Sequence, residues 1–164
     1  MKIKGRAIWI TLALIISLAF VFSCAQEEEK KATTELKEPY KVGAVFSVTG
    51  RTSFLGEPEK KTAEMITEAI NNVGGINGHP LELIVYDDES DETKCVLAVK
   101  RLIKKDKVPV IIGPSLSGNT LAVVKVVNDE EVPLVSCAAS FKIVTPVVDR
   151  KWVFKVPQSD SHAV

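Results

Sequence analysis

The stretch KVGAVFSV, residues 41–48, decides the fold. It is short, apolar and rich in β-branched residues, as a strand buried on both faces must be. Thr49-Gly50 ends it, and a helical pattern follows. Ala63, Ile66, Ile70 and Val73 recur at helical spacing, Pro58 is placed to open the helix, and Gly74-Gly75 stop it. Asn77-Gly78-His79-Pro80 reads as a turn, and residues 81–86 as a second strand.

The same alternation continues outward. Ser90 or Asp91 can cap a second helix that carries Val96, Val99, Leu102 and Ile103 on one side. Lys104 and Lys105 fall in its last turn, where the helix dipole favours cations. Residues 108–112 form a third strand closed by Gly113-Pro114, and Ser117 caps a third helix that runs to about residue 129. Residues 132–135 and 152–156 are the fourth and fifth strands. Apolar strands alternating with helices predict an α/β fold, a parallel sheet covered by helices on both faces.

That topology already locates a site. In open parallel sheets, ligands bind beyond the C-terminal strand ends, where the strand order reverses. Loops 49–57, 113–118 and 136–141 meet this description, and the last two carry Ser115, Ser117, Ser136 and Ser140. A helix opening at Ser117 offers free N–H groups and a positive dipole end to a carboxylate or phosphate.

Composition removes several classes. With 21 basic and 21 acidic residues the chain has no net charge, which argues against a nucleic-acid binder. Three Cys without a CxxC pair support neither a zinc site nor a thioredoxin-like motif. Cys95 and Cys137 read as buried free thiols, with a disulfide as the alternative. Residues 113–120 (GPSLSGNT) differ from a phosphate-binding loop by Asn119, where the phosphate-clamping Lys would stand. Gly74-Gly75-Ile76-Asn77-Gly78 follows a helix, so it is a helix stop and not a dinucleotide fingerprint. The acidic run 87–92 (DDESDE) lacks the Gly and final Glu of a calcium loop and reads as capping and solvated. His79 and His162 are the only histidines and no G-x-S-x-G elbow exists, so no hydrolytic centre is expected.

The N-terminal segment reads as an address. Lys2, Lys4 and Arg6 precede an uncharged run over 7–23, the pattern of a secretory signal. The run ends at Val21-Phe22-Ser23-Cys24, which resembles the lipobox of bacterial lipoproteins, with Cys24 as the lipidated new N-terminus. An uncleaved anchor and an ordinary signal peptide are the alternatives, and all three place the body outside the cytoplasm. Residues 24–40 then form a polar tether too poor in apolar residues to fold.

Larger segments carry a resemblance. These are Val42-Gly43-Ala44 with Ser47-Val48-Thr49-Gly50, Ala69-Ile70-Asn71 with Gly74 to Gly78, and LIVYDDES at 83–90. They continue with Ile111-Ile112-Gly113-Pro114, Ser117-Gly118, Val132-Pro133-Leu134-Val135-Ser136 and Val153-Phe154-Lys155-Val156. In order and spacing the chain resembles the substrate-binding proteins of branched-chain amino acid ABC transporters. The resemblance implies two lobes, each with a sheet of order 2-1-3-4-5, closing on a ligand at the hinge. Residues 41–164 would be the N-terminal lobe, truncated, in a fragment of a longer protein.

By the same resemblance Ser117 opens the loop that holds the ligand carboxylate. Ala138, through backbone groups, and Ser140, through hydroxyl and amide, hold carboxylate and ammonium. Leu55 stands where an aromatic residue often lies beside the ligand. The implied protein is not an enzyme and has no cofactor or metal. Its partners are an amino acid, ABC permease subunits and, through Cys24, the membrane, with no nucleic acid. A binder of amides or urea, or a ligand-sensing homologue, is the alternative within the class. An extracytoplasmic flavodoxin-like enzyme using the acidic strand end is the alternative outside it.

Overall fold

The structure, a computed structural model, describes residues 37–162. Strand β1 (Tyr40–Phe46) leads to helix α1 (Ser53–Asn72), β2 (Leu81–Asp87) and α2 (Glu92–Arg101). A π-helical turn, Leu102–Asp106, extends α2 before β3 (Ile111–Ile112), α3 (Ser117–Asp129), β4 (Leu134–Ser136) and β5 (Val153–Lys155). The five strands are all parallel in the order β2-β1-β3-β4-β5. The expected α/β class and strand order are therefore present.

The order follows from where β1 sits. The chain steps from β1 to β2 on one side, then back across β1 to β3 and on to β4. With right-handed crossovers this puts α1 on one face and α2 and α3 together on the other. The core lies on the two-helix face: Val45, Val99, Leu102, Ile111, Val123, Val127 and Leu134 are all fully buried. From β4 to β5 the chain uses two 3₁₀ turns, Phe141–Ile143 and Val147–Asp149, and only Ile143 of these reaches the core.

Three local expectations change. Pro58 lies inside α1, which starts five residues earlier at Ser53. Gly56 is the reason: its backbone lies against the end of β1, where a Cβ would come within 2.3 Å of the Ser47 carbonyl. Hydrogen bonds from Ser53 N to Gly50 O and from Leu55 N to Thr52 O pin that extra turn. The apolar stripe of α1 is not a buried face: Ile66 is 50% and Val73 82% exposed. Among the described residues, α1 is the only helix on its side of the sheet, so nothing packs over its outer half. Finally, Leu116, not Ser117, flanks the start of α3, and Ser117 is its first helical residue.

Asp91 is the residue that caps α2, its carboxylate accepting the Lys94 N–H at 2.8 Å. Tyr40, expected in the tether, pairs with Leu81 as the first residue of β1. The expected signal segment 1–23, Cys24 and most of the tether lie outside the described residues. Among the described residues no helix is long and apolar enough to cross a membrane.

Candidate functional site

The loops after β1, β2, β3 and β4 come together beyond the C-terminal strand ends, and buried hydrogen bonds join them. Gly113 makes the closest approach. Its φ is +94°, and a Cβ there would stand 2.0 Å from the Val45 carbonyl oxygen. The loop after β3 thus lies directly on β1. Ser115, two residues on and buried, accepts the Ser47 N–H at 3.1 Å and donates its hydroxyl to Glu59 of α1.

Asp88 is the centre of a second knot. It is fully buried, and three donors from three elements reach its carboxylate. The Ser47 hydroxyl lies at 2.7 Å and the Ser90 N–H at 2.9 Å from Oδ1, and the Asn119 amide at 2.7 Å from Oδ2. Its neighbour Asp87 accepts from Val48 N, Thr49 N, Glu89 N and the Thr49 hydroxyl. Partial burial favours the neutral form of Asp87. The hydrogen bonds from Thr49, Glu89 and Val48 outweigh it and hold the carboxyl below its ordinary value. The run expected to be capping and solvated is therefore divided: Asp91 caps a helix as expected, while Asp87 and Asp88 tie loops together.

Helix α3 opens into this region without a capping side chain. The Thr120 N–H bonds back to Leu116 O, so those of Ser117, Gly118 and Asn119 have no partner among the described residues. Ser117 Oγ accepts the Ser140 N–H at 3.3 Å, which brings these two expected site residues together. Ala138, two residues before Ser140, is buried, and its N–H donates to Ser136 Oγ at 3.1 Å. Ser136 in turn meets the Thr120 hydroxyl at 2.8 Å. Leu55 is 40% exposed and belongs to the first turn of α1, not to the loop after β1.

Glu59 and the two thiols complete the electrostatics. Burial raises the Glu59 carboxyl above its ordinary value; the Ser115 hydroxyl opposes this and the Asp88 charge reinforces it. A raised carboxyl contributes stability that is fully present below its ordinary 4.5 and is lost as pH rises through the raised value. Glu59→Gln keeps an acceptor for Ser115 and removes the desolvated charge. It is expected to raise the melting temperature at pH 7, with the gain vanishing below about pH 4. Paired thermal melts at the two pH values check this, and an equal gain at both would refute it.

Cys95 and Cys137 are free thiols, the first buried and the second partly so. Burial, with the Glu59 charge adding, pushes Cys137 up to about 11. Burial and then Asp88 push Cys95 up further. Neither has the thiolate character of a nucleophile. Among the described residues no group of three or more His, Cys, Asp or Glu is placed to hold a metal ion.

Sequence reasoning missed Ser47, Asp88, Asn119 and Glu59. Asn119 was discoverable, since it falls on the i, i+4, i+8 stripe with Val123 and Val127 that faces the core. Ser47, a lone hydroxyl closing an apolar strand, was the other signal.

A parallel sheet of this order, with an uncapped helix end among hydroxyls at its switch point, is the α/β arrangement in which ligands bind beyond the C-terminal strand ends. The comparisons name the family. The chain matches the periplasmic binding protein family over residues 39–163 and belongs to it. It is 31% identical over 140 residues to the Leu/Ile/Val-binding protein of Escherichia coli K12, covering 85% of this chain and 34% of that protein. It is 31% identical over 105 residues to the leucine-, isoleucine-, valine-, threonine- and alanine-binding protein of Pseudomonas aeruginosa, covering 64% of this chain and 28% of that protein. Among solved structures it is similar to the branched-chain amino acid transporter substrate-binding protein LivJ from Streptococcus pneumoniae in complex with isoleucine. The TM-score is 0.71 at 28% identity, over 76% of this chain and 35% of that one. The chain thus spans about a third of the length of these relatives.

Proposed function

We propose that this chain is the N-terminal part of an extracytoplasmic solute-binding lipoprotein that serves an ABC importer, with a branched-chain amino acid as its solute. The chain's own share of the site is the α3 end with Ser117, the Ala138 backbone and Ser140, and Leu55 borders it. The ligand carboxylate lies against the N–H groups of Ser117, Gly118 and Asn119. The observation that carries this reading is that those three donors are free while the Ser117 hydroxyl faces the Ser140 loop. Family membership and relatives named for Leu, Ile and Val binding support the choice of solute. The lipobox-like Val21-Phe22-Ser23-Cys24 supports a lipid anchor at Cys24, and with it placement outside the cytoplasm. Solute capture is non-covalent, and no catalysis is part of the reading.

Magnitudes set the expected affinity. Three charge-assisted hydrogen bonds give about 1.5–3 kcal/mol each. Association costs about 4–15 kcal/mol. One wall of a site therefore binds weakly. Titration of the chain with L-leucine is expected to show a dissociation constant no tighter than about 100 μM. The amide signals of Ser117, Gly118 and Asn119 should shift most. Shifts confined to other residues would remove the α3 end from the site, and micromolar affinity would overturn the one-wall argument.

A further inference from the structure

We propose that Asp88 is the positioning residue that fixes the first turn of α3 for its ligand, acting through Asn119. A helix that keeps its end open for a ligand forgoes a capping side chain, which would otherwise both fill and order that end. Helix α3 has no such cap. Its first turn is instead held from the side. The Asn119 amide reaches the Asp88 carboxylate at 2.7 Å, and both residues are buried. This bond leaves the backbone N–H groups of Ser117, Gly118 and Asn119 untouched.

Asp88 can serve as an anchor because it is itself fixed. Its other oxygen takes the Ser47 hydroxyl, from the residue after β1, and the Ser90 N–H, within its own loop. The Asp88 N–H donates to Phe46 O at 3.1 Å. The sheet edge thereby sets the place and direction of the α3 end. A charged acceptor in a dry site holds such a bond more tightly than a neutral one. The ligand half of this proposal rests on the function proposed above; the positioning half does not.

The test uses the full chain, ¹⁵N-labelled in detergent micelles, and the variants Asn119→Ala, Asp88→Asn and Ser47→Ala. The first measurement is amide hydrogen exchange without ligand. Asn119→Ala and Asp88→Asn are expected to speed exchange at Thr120 and Leu121 by about tenfold or more relative to Val127 in the same helix. Ser47→Ala removes one of the bonds that fix Asp88 but leaves the Ser90 N–H and the Asp88 N–H to Phe46 O to hold it, so it is expected to lower the melting temperature without that selective change. The second measurement is titration with L-leucine. Asn119→Ala and Asp88→Asn should weaken it by about fivefold or more, and the double variant no further than the weaker single one. Ser47→Ala should stay within about twofold.

Unchanged exchange at Thr120 and Leu121 in Asn119→Ala overturns the proposal. So does a Ser47→Ala variant that matches Asn119→Ala in both measurements, because the role would then be stability alone. Selective exchange without any leucine response in the unmodified chain supports the positioning role and overturns the ligand reading. Should Asp88→Asn fail to fold, Asn119→Ala, which leaves the other two bonds to Asp88 intact, decides the matter.

Discussion

Gly113→Ala is expected to destabilise the lobe by about 3 kcal/mol or more. Two independent penalties meet at this residue. Its φ of +94° is one that L side chains rarely adopt. Its missing Cβ would stand 2.0 Å from the Val45 carbonyl oxygen, a backbone atom in the middle of the sheet. A flexible side chain could move aside, but Val45 cannot without disturbing the β1 pairing to both β2 and β3. Chemical denaturation monitored by circular dichroism measures the loss. A midpoint unchanged from the parent would show that the loop after β3 does not press on β1 as described.

Asp88→Ala is the second large effect, expected at about 3–5 kcal/mol. Removing the carboxylate strands two buried donors, the Ser47 hydroxyl and the Asn119 amide, and frees the partly buried Ser90 N–H as well. None of Ser47, Asp88 or Asn119 has access to bulk water that could replace the lost acceptor. Asp91→Ala, three positions along the same acidic run, removes only an exposed cap and is expected to cost about 1 kcal/mol. Parallel denaturation curves for the two variants make the comparison. Equal losses would mean that the Asp88 knot is no more consequential than a surface cap.

The difference between these two acidic residues shows where sequence reading stops. Both stand in DDESDE, and nothing in their chemistry separates them. What separates them is which elements arrive beside each. Asp88 meets Ser47, 41 residues earlier, and Asn119, 31 residues later. Among the described residues the Asp91 carboxylate takes a hydrogen bond only from Lys94, three residues on, which a capping rule anticipates from local spacing. The same holds for Glu59, whose Ser115 partner is 56 residues away. Topology selects the loops that carry Ser117 and Ser140, and the family resemblance picks these two residues within them. The hydrogen bond between them could not be read from either loop alone.

What the sequence by itself determined is the periodic part of this protein. Apolar strand runs, helical stripes and glycine stops are local, and right-handed crossover turns their order into a single parallel sheet with its candidate site at the C-terminal edge. Tertiary structure alone decided which polar groups are buried and what they hold. It pulled α1 forward onto Gly56, left Ile66 and Val73 in water, buried Asp88, and kept the start of α3 uncapped. The physical reason is that burial and hydrogen bonding between loops depend on contacts distant in sequence, whereas helix and strand patterns depend on neighbours a few residues apart.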